Sequence, residues 1–280
     1  MERKPQWIRT KFLLPENFSK VSNILSENKV HTVCREAKCP NVGECFSCSH
    51  LTFMILGDIC TRTCRFCSVK KGIPLPLDGS EIGRIVNVVG VLNIKDIVIT
   101  SVTRDDIPDG GAEVFAEAIK RIRAKNENVK IEILTPDFFG DVPECILEAM
   151  PDIWAHNIET VPELYKNVRP KTDYKHSIKL LKNIKQKRND ILTKSGIMLG
   201  LGEKKEQVLN VFRDLRDADV DALTIGQYLK PSKDSVDVCD YLTPDEFVFY
   251  KNKSLEMGFK NVLSAPLVRS SYRSNLNEGR

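Results

Sequence analysis

The sequence predicts an α/β fold in which six parallel strands alternate with helices and close into a barrel or three-quarter barrel. The first observation is size, since 280 residues, of which 41% are hydrophobic, can bury a substantial core. The second is periodicity: from about residue 50 onward, short β-rich runs alternate with longer amphipathic segments. The third is that both ends of the chain differ from this body. Together they predict a barrel with an extension at each end.

The strands and helices of the predicted barrel follow one another in pairs. The strands cover residues 52–56, 96–100, 130–134, 152–157, 194–198 and 222–226, and a short run at 261–263 closes the sheet. The helices cover residues 81–92, 111–125, 143–150, 175–187, 204–218 and 244–257. The last helix has a clear start, because Thr243 can cap it and Pro244 suits its first turn. Helical crossovers between successive strands require those strands to be parallel.

The chain is predicted to have three parts. Residues 1–50 form an N-terminal extension that begins with basic residues and proline, residues 51–265 form the barrel, and residues 266–280 form a C-terminal extension. In barrels of this kind the working residues lie at the C-terminal ends of the strands. We therefore expect the chemistry at one rim.

Charge and hydropathy exclude several classes of protein. The net charge of +4 is spread along the chain, which does not favour nucleic acid as a partner. No apolar run approaches the roughly 18 residues needed to cross a bilayer, and the first ten residues lack the apolar stretch of a secretion signal. We expect a cytoplasmic protein.

Seven of the nine cysteines fall between positions 34 and 67. An odd number of cysteines without an export signal argues against a disulfide framework, because cytosolic thiols are kept reduced. Metal or redox chemistry is the leading interpretation of this cluster.

Cys60, Cys64 and Cys67, here called the loop trio, follow the first barrel strand with the spacing Cys-x3-Cys-x2-Cys. Three thiolates suit a 4Fe-4S cluster that keeps one iron open to an outside ligand, whereas a structural zinc site needs four ligands. The alternative is a zinc knuckle that borrows Cys48 or His50. Upstream, Cys34, Cys39 and Cys45, here called the N-terminal trio, are spaced too widely for a zinc knuckle but can surround a second iron–sulfur cluster.

Polar residues also follow the later predicted strands. His156, Asn157 and Glu159 come after the fourth strand, and Gln227 and Tyr228 after the sixth. Their recurrence at every strand end favours a shared functional rim over a set of unrelated turns. Gly200-Leu201-Gly202 lacks the third glycine of a dinucleotide-binding fingerprint, so a nucleotide site of that type is rejected.

The loop trio, in the context Cys60-x3-Cys64-x-Phe66-Cys67 after the first strand, resembles the motif of the radical S-adenosylmethionine (SAM) superfamily. The resemblance implies a partial (β/α)6 TIM-like barrel of the radical SAM type. It also implies that the open iron binds SAM and that an electron from the cluster splits the sulfonium to give a 5′-deoxyadenosyl radical. Gly110 and Gly111 match the glycines that bind the cofactor's amino group.

Over most of its length the chain resembles the lipoyl synthase family. The matching segments are residues 33–41, 43–45, 52–57, 100–106, 109–112, 156–161, 168–170, 194–196, 226–229 and 269–272. The resemblance implies a sulfurtransferase of lipoate biosynthesis that inserts two sulfur atoms at C6 and C8 of a protein-bound octanoyl-lysine. It implies two SAM molecules per lipoyl group and a second 4Fe-4S cluster, held by the N-terminal trio and Ser271, that donates the sulfur.

The resemblance and the rim together give further expectations. Cofactor-binding roles are expected for seven residues: Gly110, Gly111, Asn157, Glu159, Lys194, Gln227 and Tyr228. Arg169 and Arg269 are candidate substrate contacts, with ordinary solvated charge as the alternative. Expected partners are an octanoylated lipoyl carrier domain or carrier protein, an electron donor such as a ferredoxin or flavodoxin, and a cluster-repair protein.

Some features depart from this pattern or leave alternatives open. Cys48 and His50 lie between the two trios, where the family has no cysteine, and Cys48 is interpreted as a bystander. A two-cluster electron carrier is the alternative function, although carriers usually bind every iron with cysteine and do not need a barrel. A zinc-organised nucleic-acid binder is a third reading, disfavoured by the dispersed charge.

Overall fold

The computed structural model describes residues 4–8 and 16–271, which form two compact units. The N-terminal unit contains residues 16–63 and 68–154, and the C-terminal unit contains residues 4–8, 64–67 and 155–271. Cys64 and Cys67 therefore belong to a different unit from Cys60. The three-part division made from composition stays a prediction.

The N-terminal unit is built on parallel strands. Its elements are α1 (Glu16–Glu27), β1 (His31–Thr32), α2 (Val33–Glu36), α3 (Val42–Ser47), β2 (Thr52–Ile55), β3 (Ile59–Cys60), β4 (Lys70–Lys71), α4 (Glu81–Val91), β5 (Asp96–Ser101), α5 (Ala112–Lys125), β6 (Lys130–Leu134), α6 (Glu144–Ala149) and β7 (Ile153–Ala155), whose last residue belongs to the other unit. Strands β2, β5 and β6 are parallel neighbours, and β1 runs antiparallel along β2. All four residues of β2 are buried, as expected for a parallel strand covered on both faces.

The C-terminal unit repeats the strand–helix alternation. Its elements are α7 (Tyr165–Val168), α8 (Tyr174–Lys187), β8 (Leu192–Leu199), α9 (Lys205–Asp217), β9 (Ala222–Gln227), α10 (Pro244–Glu256) and β10 (Asn261–Ser264). Strands β8, β9 and β10 are parallel neighbours. Phe212 of α9 packs edge-on against Tyr250 of α10 within the core of the unit. The start of α10 is capped as predicted: Thr243 N–H donates to the Glu246 carboxylate at 2.8 Å, and Glu246 N–H donates back to Thr243 Oγ1.

The structure confirms the α/β class with a mostly parallel sheet, and the predicted strands and helices are present within two residues at each end. The largest differences are in the fourth strand, predicted over 152–157 and observed over Ile153–Ala155, and in the fifth, predicted over 194–198 and observed over Leu192–Leu199. Beyond the fourth strand, His156 N–H still donates to Lys194 O, and Glu159, with a positive φ of 67°, pairs again with β8 at Ile197. The regular strand nevertheless ends before Asn157. Among the helices of the described residues, none has the length and apolar content needed to cross a bilayer.

Candidate functional site

The N-terminal trio lies on two short helices and the turn between them. Cys34 is on α2, Cys45 is on α3, and Cys39 is in the turn. Cys39 N–H donates to Cys34 O at 3.0 Å, and Val42 N–H donates to Cys39 O at 3.3 Å. Cys34 and Cys45 are buried, and Cys39 is partly exposed. This local fold brings three thiols together from one short stretch of chain.

Ionisation is unfavourable for two thiols of the N-terminal trio, Cys34 and Cys45. Burial, with a smaller contribution from the charge of Cys39, raises the pKa of Cys34 to about 11. Burial followed by the charges of Cys34 and Cys39 raises the pKa of Cys45 to about 12. Three neighbouring thiolates repel each other unless a cation lies among them, and iron supplies that positive charge. The donor set therefore fits an iron–sulfur cluster.

Cys48 and His50 follow the N-terminal trio directly. Cys48 is exposed at the end of α3, and its charge also contributes to the raised pKa of Cys45. His50 N–H donates to Cys45 O at 2.8 Å. Both residues thus lie beside the trio, and the interpretation of Cys48 as a bystander stays a prediction.

Cys60 ends β3, and its sulfur accepts two backbone hydrogen bonds. The N–H groups of Thr103 and Arg62 lie 3.3 and 3.4 Å from Cys60 Sγ. The Cys60 carbonyl oxygen accepts from Gly72 N–H at 3.1 Å. Backbone donors stabilise negative charge on sulfur, as an iron-bound thiolate requires. Cys60 is therefore held in a suitable setting for a cluster ligand.

Arg62, the second residue after Cys60, ties the cysteine loop to the loops that follow β5 and β6. Its guanidinium donates to the Asp105 carboxylate at 2.6 and 2.8 Å and lies 3.6 Å from Asp137. Thr61 N–H and Oγ1 both donate to Thr103 O at 3.0 Å. Arg62 is buried and Asp105 is exposed, so the ion pair lies at the surface of the unit. The side chain of Asp105 and the backbone of Thr103 hold the cysteine loop.

Cys64 and Cys67 lie at the two ends of a four-residue segment of the C-terminal unit. Cys67 N–H donates to Cys64 O at 3.3 Å, and Arg65 N–H donates to Val168 O at 2.9 Å. Phe66 packs against a small core cluster that contains Tyr228. The phenylalanine of the motif thus anchors the segment, while both cysteines stay partly exposed.

Gly110 and Gly111 form the turn that leads into α5. Both have positive φ angles, 62° and 88°, and Gly111 is the residue before the first turn of the helix. A Cβ at Gly111 would overlap the Leu56 side chain. The structure therefore provides a packing reason for glycine at this position, in agreement with a helix-start turn.

A polar group follows β7 in the C-terminal unit. Asn157 Nδ2 donates to the Glu159 carboxylate at 3.0 Å, and burial raises the pKa of Glu159. Arg169 Nη1 donates to the carbonyl oxygens of Asn157 and Ile158 at 3.0 and 3.2 Å. A Cβ at Gly196 would lie 2.9 Å from Asn157 Oδ1, so glycine leaves room for this amide.

Asn157 Oδ1 is buried and has no hydrogen-bond partner among the described residues. A buried acceptor without a donor is unfavourable by about 1–3 kcal/mol unless a ligand or water supplies the donor. The amide therefore fits a role toward a ligand with an N–H or O–H group.

The other predicted rim residues are buried. Lys194 lies on β8 and is almost fully buried. Gln227 Nε2 donates to the carbonyl oxygens of Leu199 and Asp240 at 3.1 and 2.9 Å, and its Oε1 accepts from Leu242 N–H. Tyr228 Oη donates to Val236 O at 2.7 Å. Gln227 and Tyr228 thus fix the loop after β9. The sequence did not predict this structural role.

The segment that leads to Ser271 lies directly against β9. Gln227 N–H donates to Pro266 O at 3.2 Å, and a Cβ at Gly226 would overlap the Val268 carbonyl oxygen. Arg269 donates to Val268 O at 2.7 Å. Ser271, partly buried, is the last described residue of this segment.

Among the residues that the structure describes, no three His, Cys, Asp or Glu side chains are placed to hold one metal ion. Ligands of a four-iron cluster have a different geometric requirement, because each thiolate binds a different iron. Cys34, Cys39 and Cys45 are near enough for their charges to affect the pKa values of Cys34 and Cys45.

Two family models match most of the chain, and curated relatives match nearly all of it. The Radical SAM superfamily matches residues 54–215, and the N-terminal domain of lipoyl synthase of the Radical SAM family matches residues 1–39. Lipoyl synthase of Caldanaerobacter subterraneus subsp. tengcongensis is 49% identical over 98% of this chain and 96% of its own length. Lipoyl synthase of Laribacter hongkongensis is 51% identical over 98% of this chain and 88% of its own length. None of these matches supports an electron carrier.

Solved structures share the fold at low sequence identity. SuiB of Streptococcus suis bound to S-adenosylmethionine superposes with a TM-score of 0.59 at 12% identity, covering 80% of this chain and 53% of SuiB. Methylornithine synthase superposes with a TM-score of 0.56 at 15% identity, covering 81% of this chain and 77% of its own. These likenesses confirm the fold.

Proposed function

The chain belongs to the lipoyl synthase family of the radical SAM superfamily, and we propose that it converts a protein-bound octanoyl-lysine into the lipoyl cofactor. It is a sulfur-inserting enzyme that uses SAM and an iron–sulfur cluster. The observation that carries this assignment is identity near 50% over 98% of the chain. The product requires sulfur at C6 and C8, so two C–H bonds are broken and two SAM molecules are consumed.

Two 4Fe-4S clusters divide the chemistry in this proposal. When bound, the first supplies the electron that cleaves SAM to the radical that removes hydrogen from the substrate, and the second supplies the two sulfur atoms. The loop trio would hold the first cluster, and Thr103 and Arg62 would stabilise negative charge on Cys60 Sγ through their backbone N–H groups. Three ligands leave the fourth iron for SAM.

The N-terminal trio would hold the second cluster together with Ser271. The raised pKa values of Cys34 and Cys45, caused first by burial and then by neighbouring thiolate charge, support this role, since bound cations would stabilise the thiolates in place of protons. A hydroxyl is a weaker ligand for iron than a thiolate, which suits a cluster that must give up sulfur. The contacts that Gly226 and Gln227 make with residues 266–268 would position the segment that carries Ser271.

Roles in binding SAM remain proposals for the predicted set: Gly110, Gly111, Asn157, Glu159, Lys194, Gln227 and Tyr228. Asn157 has the strongest support, because its buried Oδ1 needs a donor and SAM carries amino and hydroxyl groups. Arg169 would act by positioning, since it holds the backbone at Asn157 and Ile158. Substrate contacts by Arg169 and Arg269 stay predictions.

The substrate carrier is an octanoylated lipoyl carrier domain or protein. A low-potential electron donor such as a ferredoxin or flavodoxin is required by the reductive cleavage of SAM, and a cluster-repair protein is required because the second cluster is consumed. These two partners and the cytoplasmic location stay predictions.

The proposal is tested with anaerobically reconstituted enzyme, dithionite, SAM and an octanoyl-lysine peptide. We expect about eight irons per chain, corresponding to two four-iron clusters. We also expect 5′-deoxyadenosine and, under these reducing conditions, a dithiol peptide heavier by two sulfur atoms, both measured by mass spectrometry. Four irons per chain, or 5′-deoxyadenosine without sulfur insertion, contradict the two-cluster mechanism.

A further inference from the structure

Residues 70–77, here called the proline segment, expose an unusual amount of apolar surface. Ile73, Leu75 and Leu77 are 92%, 71% and 45% exposed. They alternate with Pro74 and Pro76 over residues 73–77, which form neither helix nor strand. Large apolar side chains gathered on a protein surface mark a site of interaction.

The proline segment is restricted in conformation before any partner arrives. Each proline fixes its own φ near −65° and keeps the preceding residue extended, here Ile73 and Leu75. The prolines lack the N–H groups needed to extend a sheet, so side chains rather than the backbone are offered for contact. A rigid segment loses little entropy on binding.

Hydrogen bonds join both ends of the proline segment to Cys60 or to the residues shortly before it. At its start, β4 pairs with β3, and Gly72 N–H donates to Cys60 O. Just after its end, the buried Glu81 carboxylate accepts from the N–H groups of Leu56 and Gly57 at 2.8 and 3.1 Å. The exposed apolar side chains are thus held beside the strand that carries a cysteine of the loop trio.

We infer that the proline segment is the docking surface for the carrier domain that bears the octanoyl chain, and that this domain presents acidic side chains to it. The inference rests on the proposed function, which requires a folded domain to deliver an acyl-lysine arm to the radical site. A domain that does so must cover surface next to Cys60, and the proline segment is apolar surface tethered there at both ends.

Charge favours a carrier over a second copy of this chain. Lys70 pairs with Asp58 at 2.6 Å and Asp78 pairs with Arg84 at 2.8 Å, while exposed Lys71 has no ion pair among the described residues. A two-fold interface would bring like surfaces, each with its Lys71, against one another. An acidic domain complements this charge.

The first test measures the affinity of reconstituted enzyme for an octanoylated carrier domain. In the triple variant Ile73→Ser, Leu75→Ser, Leu77→Ser we expect Kd to rise at least about tenfold, because interface affinity is concentrated in a few apolar anchors. Turnover of the octanoyl-lysine peptide should be unchanged, since the peptide has no domain to dock. The matched control, Val91→Ser with Val248→Ser, removes apolar side chains of similar exposure, 57% and 52%, and should not alter Kd.

The second test identifies the occupant. A photoreactive p-benzoyl-phenylalanine at position 75 is expected to cross-link to the carrier domain when that domain is present. Cross-linking to a second enzyme chain, or to a terminal segment of the same chain in the presence of carrier, overturns the inference, as does an unchanged Kd in the triple variant. Failure of the proposed function has a different signature: wild-type enzyme would then modify neither peptide nor carrier.

Discussion

The two cysteine trios differ in how the protein surrounds them. In the N-terminal trio Cys34 and Cys45 are buried, whereas all three cysteines of the loop trio are partly exposed. Burial and mutual repulsion raise the thiol pKa values of Cys34 and Cys45, while Cys60 Sγ accepts two backbone N–H groups. Two thiols of the N-terminal trio are shielded and ionise with difficulty, whereas the loop trio is more open and Cys60 Sγ has backbone donors that stabilise negative charge.

This difference agrees with two different tasks. A cluster that must bind SAM from solution in every cycle needs an accessible iron, and backbone donors to sulfur help to set its reduction potential. A cluster that stores sulfur is better protected until it is used. Three experiments test this division of tasks and the surroundings of Cys60.

The largest effect is expected from removing one cysteine of each trio. Cys64→Ala should lower 5′-deoxyadenosine formation by more than about a thousandfold, because SAM cleavage needs the first cluster. Cys39→Ala should keep SAM cleavage but lose sulfur insertion, and each variant should retain about four irons. Both products are measured by mass spectrometry and iron by colorimetric assay.

The control for the cysteine variants is Cys145→Ala, which alters a partly buried cysteine on α6 outside both trios. It should keep both activities. If Cys39→Ala abolished SAM cleavage as completely as Cys64→Ala, the separation of tasks would be wrong.

A smaller effect is expected when the ion pair that holds the cysteine loop, Arg62 with Asp105, is removed. Arg62→Gln removes the bidentate contact with Asp105 and should reduce 5′-deoxyadenosine formation roughly tenfold to a hundredfold, the usual range for residues that orient metal ligands. Asp105→Asn should do the same, and the double variant should add little, because both changes break one contact. The iron held by the N-terminal trio should remain.

Arg121→Gln is the matched control for Arg62→Gln, since Arg121 forms an exposed ion pair with Glu117 in the same unit. Exposed pairs contribute about 0–1 kcal/mol, so activity should not change. Equal loss of iron from both trios in Arg62→Gln would indicate general destabilisation instead of a local role.

The smallest effect is expected from the titration of Glu81, whose carboxylate accepts hydrogen bonds from Leu56 and Gly57, shortly before Cys60. Burial raises the pKa of Glu81, so the folded state favours its protonated form. That stabilisation is complete below the unfolded pKa of about 4.3 and is lost as pH rises through the folded value. The free energy of unfolding of the wild type, relative to that of Glu81→Gln, should therefore fall as pH rises above about 4.3.

Urea denaturation of the cluster-free proteins measures this difference. Glu117→Gln, at an exposed position, serves as the control and should show no such trend. A difference between wild type and Glu81→Gln that stays constant or grows with pH would contradict the assigned direction.

The sequence predicted those parts of the fold that depend on local periodicity. The strand at residues 130–134 and the capped start of α10 at Thr243 were both identified, because apolar pattern and capping residues are adjacent in the chain. The two-residue β1 and the short helices α2 and α3 were not, since so few residues carry no measurable period. Their positions follow from the pairing of β1 with β2.

The candidate site was predicted as a set of residue types and not as a set of contacts. The cysteine spacing identified both trios, but the pairing of Arg62 with Asp105 joins residues 43 apart and has no local signal. The cofactor contact predicted for Gln227 from its position at a strand end stays a prediction, and its amide also bonds to the backbone at Leu199, Asp240 and Leu242, which that position did not predict. Position on a strand does not determine what a side chain touches.

The close approach of Val268 to Gly226 has a consequence for the order of assembly. The segment that follows β10 can take its place only after β9 has formed, because its backbone packs directly on that strand. A metal cluster that used Ser271 as a ligand would therefore be completed on a unit whose strands are already paired.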